Sequence, residues 1–559
     1  MGAALVAFVA VIAYVPTVAN DWVRWDDPET FLNNPNYRGL GLAQLRWMAT
    51  TFHMGHYIPV TWLTLGLDYV LWGMNAAGYH VTSFVIHAAA AVALYYLARR
   101  ILAFFTTDAA ALTTGAAGAA LFFAVHPLRV ESVAWVTERR DVLSGLLAVV
   151  SVIAYLRSVR DGDAGRRWSR WYWASLVLFA VALLSKSITV SLPVALVLLD
   201  IHPLRRLPGD PRQWLTRAAR RVWIEKVPFF ALAAAGAVLA ILANRAIGNL
   251  SPVSGITIPA RLALTVHSIA FYIVKTLVPA ALSPLYSMPA VLYLTEWPFV
   301  ASGIGVVAVT IVLLWRRRAW PAVLSAWTFY VIAVLPVSGL LQNGPQIAAD
   351  RYTYFPMLGF ALLAGGGIAQ LTLAWRAGRL APSHALVVAG AGTALVVTLV
   401  GVTWYQITVW RDNEALWSHA HHVAPSSSSA AALAQVRLEQ GRYEDAMALA
   451  RQSIRLNPAA PAGYNMAGLI FQELKQPERA LVQFRKALEM SPNDLPARTN
   501  LGVTFYDLER WNEALDEFDR AFKLAPNDPK VRENLVAVLI RLGLAPGNAG
   551  PVKAIFRPW

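Results

Sequence analysis

From Ala3 to Val18 the chain is almost wholly apolar, and runs of this kind recur as far as residue 404. Each approaches the ~20 residues that an α-helix needs to cross a bilayer. They lie near 2–19, 80–98, 109–125, 141–157, 171–184, 188–200, 227–246, 297–315, 320–340, 355–375 and 383–404. The pattern therefore predicts about eleven membrane-spanning helices. A further apolar piece, 261–283, is interrupted by Arg261, His267, Lys275 and Pro279. It is expected to be re-entrant or interfacial. Two long loops are expected, 20–78 and 247–296. The first contains the amphipathic pieces Leu42–Thr51 and Val60–Trp72, which suit helices lying on a membrane surface.

Beyond residue 411 the apolar runs stop and a repeat begins. Pro458, Pro492 and Pro526 are 34 residues apart, as are Ala446, Ala480 and Ala514. Gly468 and Gly502 keep the spacing, and so do Phe484 and Phe518. Small residues at a helix crossing and Pro at the turn, with this period, are the tetratricopeptide pattern. The first unit, about 427–460, lacks the aromatic and Gly positions. The predicted organisation is an all-α polytopic membrane domain at 1–410, a linker at 411–429 with Ser426–Ser429 as a hinge, a repeat solenoid at 430–545 and a tail at 546–559. Residues 529–542 read as a capping helix.

Composition agrees. The chain of 559 residues is 57% hydrophobic and 14% charged, where a soluble domain carries about 25% charged residues. The formal charge of +15 suggests nucleic acid at first sight. The Arg residues cluster in short loops between apolar runs, however, which the positive-inside rule explains better. No nucleic-acid partner is expected. With no cysteine, disulfides and thiolate chemistry are excluded. The first run has no Lys or Arg before Arg24, so it reads as a retained helix rather than a cleaved signal. Placing the basic loops inside puts the N-terminus in the cytoplasm and the repeats outside. It also puts the Asp26-Asp27 loop, His126–Asp141, Lys186, the 247–296 loop and the Gln342–Tyr354 loop on one extracytoplasmic face.

That shared face holds the candidate chemistry. Two adjacent carboxylates beyond a first span, Asp26 and Asp27, can serve as a general base, a metal ligand or an acceptor clamp. They can equally cap a turn before Pro28. Trp25, His56, Tyr57, His80, His126 and Glu131 are candidate acceptor or sugar contacts; the histidines also suit interfacial anchoring. Arg129, Arg139, Arg140, Lys186 and Arg351 are candidate phosphate ligands, since Arg fits phosphate oxygens well. Internal salt bridges are the alternative for each, with Asp350 the obvious partner for Arg351. No metal-ligand set is assigned, and a divalent metal stays open. No P-loop is present, and Gly365-Gly366-Gly367 lies in an apolar run, where it suits helix packing.

Trp25-Asp26-Asp27, Tyr57-Ile58-Pro59-Val60-Thr61, Gly78-Tyr79-His80, His126-Pro127 through Glu131, Arg139-Arg140-Asp141, Ser185-Lys186 and Asp350-Arg351-Tyr352 occur in this order. The order, with the trailing repeats, resembles the TMTC proteins, the transmembrane and tetratricopeptide-repeat O-mannosyltransferases, and their bacterial relatives. The resemblance implies a GT-C glycosyltransferase fold with a polyprenyl-phosphate sugar donor and an acceptor outside the cytoplasm. It implies that Asp26 or Asp27 is the base. It assigns Arg351, with Lys186, Arg139 and Arg140, to the leaving lipid phosphate. The short repeat domain suits a bacterial inner membrane and an undecaprenyl-like donor better than dolichol. The alternatives are a membrane-anchored scaffold or accessory subunit whose repeats bind a partner, and a transporter of lipid-linked sugar.

Overall fold

The computed structural model describes residues 1–163, 168–246, 257–288, 293–340, 346–526 and 528–544. Residues 247–256 and 289–292 of the expected 247–296 loop, and the tail, therefore lie outside the described residues. The chain divides into two compact units, Met1–Ala415 and Leu416–Trp559.

The first unit is helical. Its helices are α1 (Gly2–Tyr14), α2 (Leu42–Thr50), α3 (Pro59–Trp72), α4 (Ala76–Leu102), α5 (Ala109–Ala124), α6 (Val130–Ala134), α7 (Arg139–Asp163), α8 (Arg170–Leu183), α9 (Leu192–Ile201), α10 (Arg217–Ala246), α11 (Ile258–Leu277), α12 (Trp297–Trp315), α13 (Pro321–Val334), α14 (Leu358–Arg376) and α15 (Pro382–Val409). Among the described residues the only strands are Tyr286–Ser287 and Gln346–Ala348, paired antiparallel.

Among the described residues, eight helices are long and apolar enough to cross a membrane, nine if the bent pair α5 and Pro127–Ala134 is one span. Three of the eleven expected spans are short apolar helices instead, at 170–183, 187–201 and 321–337. The piece expected not to cross, by contrast, forms the 20-residue α11, which passes on length and composition. The reason is placement. Arg261 lies in its first turn, Lys275 in its last, and Pro279 beyond its end. His267 bonds Ser302 Oγ on α12 at 3.1 Å. Once α11 is able to cross, the odd count that put the repeats outside no longer follows.

Small residues set the closest helix contacts, because backbones approach only where no side chain intervenes. A Cβ on Gly115 of α5 would stand 2.6 Å from the Gly365 carbonyl oxygen of α14. Gly365 thus has the packing role expected of it, while Gly366 and Gly367 face open space. The surface helices α2 and α3 form as predicted. Leu63, Leu67, Val70 and Leu71 of α3 are exposed, as an interfacial helix requires.

In the second unit, helix pairs follow one another: α17 (Ser427–Glu439) with α18 (Tyr443–Leu456), α19 (Pro461–Glu473) with α20 (Pro477–Met490), and α21 (Leu495–Asp507) with α22 (Trp511–Leu524). The capping helix α23 (Pro529–Arg541) ends the array. Phe484 fills the space above Gly468, and Phe518 that above Gly502. The first unit of the repeat carries Ala450 and Ala434 at the equivalent positions, both fully buried. A small pair replaces the large–small pair, so this repeat is complete in shape. The expected linker is largely helix, because α16 (Asn413–Val423) and the start of α17 occupy it. Ser426 and Ser429, expected as a hinge, form a reciprocal capping box that starts α17, which satisfies otherwise orphaned backbone N–H groups.

Candidate functional site

The loop after α1 is fastened before it reaches its acids. The Asp21 N–H donates to the Arg411 carbonyl at 2.8 Å, and the Arg24 N–H donates to Asn413 Oδ1 at 2.5 Å. The two carboxylates that follow differ completely. Asp27 is 1% exposed. Its Oδ2 accepts from the Val23 N–H at 2.9 Å. Its Oδ1 accepts from Trp135 Nε1 at 2.9 Å and from Thr137 Oγ1 at 2.6 Å. Asp26 is half-buried, and among the described residues its carboxylate accepts no hydrogen bond. Burial raises Asp26 to about 6, against the pull of Arg140 and Arg351. Burial likewise raises Asp27 to about 7, against its three donors.

Facing Asp26 is a cluster built around Glu138, which lies just before α7. Arg140 grips it in a bidentate pair, Nε to Oε2 at 3.0 Å and Nη2 to Oε1 at 2.6 Å. Lys186 reaches Glu138 Oε2 at 2.7 Å and Asp141 Oδ1 at 2.8 Å. Arg351 Nε lies 3.2 Å from Glu138 Oε1, and its Nη1 pairs with Glu131 Oε1. The Arg351 N–H also donates to Glu131 Oε2 at 2.8 Å. Residues 131 and 138, 186 and 351 thus meet from three separate stretches. Planar guanidinium groups suit such shared carboxylates. The Nη1 of Arg140 and the Nη2 of Arg351 stay outside these pairs, so each can still donate to a further oxygen.

His56 completes the mouth. Its ring makes no hydrogen bond among the described residues. Burial, and then the Arg140 charge, hold it well below its usual value. It is therefore a neutral imidazole at pH 7, beside the same cations as Asp26. Trp25 stacks obliquely on Trp135, ring centres 5.8 Å apart.

The remaining expected residues have other occupations. Arg139 is fully buried and points away from the cluster. It pairs with Asp68, donates to the Tyr79 carbonyl at 2.7 Å and to Ser83 Oγ at 3.2 Å. Arg129 is 2% exposed and lies between the rings of Phe123 and Tyr354. His126 caps the turn at Leu128 and bonds the Thr276 carbonyl. Tyr57 donates to the Ala49 carbonyl at 2.9 Å. His80 is 1% exposed, inside α4. Glu131 is spent on Arg351. Asp350 does not pair with Arg351; it accepts from Tyr286 at 3.1 Å. Among the described residues no three His, Asp or Glu side chains form a metal-ligand group. Glu138 and Asp141, visible in sequence only as part of a charged patch, are the acids that organise the cations.

A largely apolar cavity of 430 Å³ lies between α4, α7, α9, α13 and α14. Its wall includes Ala148, Leu192, Phe355 and Leu358, and continues along α14 to Leu373. Ala148 is two turns beyond Asp141, and Leu358 seven residues beyond Arg351. The described lining thus starts about two turns along α7 from Asp141 and runs along α14 to Leu373.

The two units define a helical protein with many membrane-length helices, a charged site beside its first loop and a tetratricopeptide-repeat solenoid. Two tetratricopeptide-repeat family models match residues 431–495 and 472–539. The chain as a whole is similar to the TMTC protein O-mannosyl-transferases. It is 24% identical to human TMTC1 over 521 residues, covering 84% of this chain and 57% of that protein. It is 23% identical to Tmtc3 of Drosophila melanogaster over 497 residues, covering 76% of this chain and 51% of that protein. Human TMTC4 is 28% identical over 199 residues, 33% of this chain and 27% of that protein. The chain thus spans about half the length of the curated relatives it matches most fully. Among solved structures, the Arabidopsis OM64 TPR domain covers 21% of this chain and 95% of its own, at 20% identity and TM-score 0.20.

Proposed function

We propose that this chain is a membrane glycosyltransferase of GT-C type, moving a sugar from a polyprenyl-phosphate lipid to an acceptor hydroxyl on a protein or envelope polymer. The observation that carries the reading is the Asp26 carboxylate, without a hydrogen bond among the described residues, beside Arg140 and Arg351, which with Lys186 are held on Glu138. The similarity to protein O-mannosyl-transferases supports the reaction class.

Asp26 takes the proton of the acceptor hydroxyl. The acceptor oxygen forms its bond to the anomeric carbon as the bond from that carbon to the phosphate oxygen breaks. The electron pair leaves with the phosphate, whose added negative charge meets Arg140, Lys186 and Arg351. Stabilising that charge in a water-poor site is a large part of the rate enhancement. A phosphate leaves as an anion, so no general acid is needed. His56, neutral, accepts a hydrogen bond from a sugar or acceptor hydroxyl. The isoprenoid chain occupies the apolar cavity between α7 and α14. The repeats hold the acceptor or a partner protein, and the reaction takes place on the extracytoplasmic side of a bacterial inner membrane.

The test is release of polyprenyl phosphate by purified protein in nanodiscs, supplied with extracted polyprenyl-phosphate sugars and an acceptor. Acceptor-dependent release that is lost in Asp26→Asn supports the reading. No turnover with any donor, together with a repeat domain that still retains a defined partner, would replace it with the scaffold reading.

A further inference from the structure

A second set of cations gathers at the opposite ends of α4 and α7. Arg157 and Arg160 are one turn apart on α7, and Arg100, near the end of α4, lies within electrostatic reach of both. The Arg157 guanidinium lies 4.1 Å from the centre of the Trp171 ring, and Arg170 lies 5.3 Å from it. Among the described residues none of Arg100, Arg157 and Arg160 pairs with a carboxylate. Asp108, at the same end, is held by Arg376 at 2.8 Å, and Asp161 has a partner of its own. This contrasts with Arg140, Lys186 and Arg351, each of which is matched to an acid.

Like charges at this range repel unless an anion offsets them. The depth of the group says which anion is at hand. From Arg140 to Arg157, α7 rises 17 residues, about 25 Å at 1.5 Å each, close to the hydrocarbon thickness of a bilayer. The three cations therefore sit at the headgroup layer opposite the Asp26 site. Trp168 and Trp173 are 46% and 53% exposed beside them, as aromatic residues at a membrane interface are.

We propose that Arg100, Arg157 and Arg160, flanked by Trp171, bind the headgroup phosphate of an anionic phospholipid in the leaflet opposite the Asp26 site. Guanidinium groups from two helices converge on one phosphate, and Trp171 holds Arg157 in place from behind. The inference rests on the membrane reading of the first unit and is independent of the transferase reading.

The full chain is placed in nanodiscs of phosphatidylcholine containing a minor share of phosphatidylglycerol, and the lipid it retains is read by native mass spectrometry. The wild type is compared with Arg100→Gln/Arg157→Gln/Arg160→Gln and with Arg316→Gln/Arg317→Gln/Arg318→Gln, which removes the same charge elsewhere. The wild type and the 316–318 variant should retain phosphatidylglycerol with roughly tenfold or greater preference, given that each interfacial cation contributes about 1 kcal/mol. The 100/157/160 variant should lose that preference while keeping its melting temperature. Equal retention of both lipids by the wild type overturns the proposal, as does an equal loss in both variants. Abolition of the preference by inorganic phosphate would assign the site to a soluble phosphate and overturn the lipid assignment.

Discussion

The Asp27 carboxylate accepts three hydrogen bonds and, among the described residues, the Asp26 carboxylate accepts none, so two neighbours of identical chemistry differ in what they can do. A carboxylate whose lone pairs are occupied by Val23, Trp135 and Thr137 is a fastener for the loop. Asp27→Asn turns an amide donor toward one of those donors and should cost about 1–3 kcal/mol, read as a lower melting temperature. Asp26→Asn should leave the melting temperature unchanged and lower turnover by roughly 10²–10⁴, the usual contribution of a general base. The pH profile follows from the same residue. With Asp26 raised to about 6, the acid form accumulates as pH falls through that value, so wild-type turnover should drop on its acidic side. An acidic limb that persists unchanged in Asp26→Asn would remove this residue from the reaction. The sequence offers the pair but no means of choosing between them, because the choice depends on Trp135 and Thr137, more than 100 residues away. Glu138 was harder still to single out. Its role comes from Lys186 and Arg351, which reach it from distant stretches. Glu138→Ala leaves the buried Arg140 without its acid, while Lys186 keeps Asp141 and Arg351 keeps Glu131, and should cost roughly 3–5 kcal/mol.

At the scale of elements, the readable features were those encoded locally. The 34-residue period placed every repeat helix pair, because small and large residues recur at fixed positions. The hinge expected at Ser426–Ser429 became a helix cap because a Ser run is equally suited to both, and only the bond between Ser426 and Ser429 decides. Window hydropathy misreads a helix where charge position matters more than charge number. Arg261 and Lys275 look like interruptions in a window and are in fact the two ends of α11. The Gly365-Gly366-Gly367 run yields a sharp test of packing. A Cβ on Gly365 would stand 2.7 Å from the Ala119 Cβ, whereas one on Gly366 meets nothing within 4 Å. Gly365→Ala should therefore cost about 1–3 kcal/mol by overpacking the contact of α5 and α14. Gly366→Ala should be neutral or stabilising in the same thermal unfolding measurement.

For the whole molecule, the division of labour between the two units can be tested by separating them. The membrane unit contains the whole charged cluster: Asp26, His56, Glu131, Glu138, Arg140, Asp141, Lys186 and Arg351 all precede Ala415. Its first loop is fastened by Arg411 and Asn413, at the very end of that unit. A chain ending after Ala424 keeps both fastenings and all of α16, and loses only the repeats. If the repeats serve to hold the acceptor or a partner, this shortened chain should transfer sugar to a short hydroxyl-bearing peptide at a kcat within a few-fold of the full chain. Its KM for a folded protein acceptor should rise by roughly tenfold or more, since a tethered second contact raises effective concentration by that order or beyond. Equal loss with peptide and protein would mean that the repeats are needed for the chemistry or for the fold of the membrane unit; a melting curve for the shortened chain separates those two. An unchanged KM for the protein acceptor would leave the repeats to a different partner, and the acceptor would then have to be recognised by the loops around Asp26 alone.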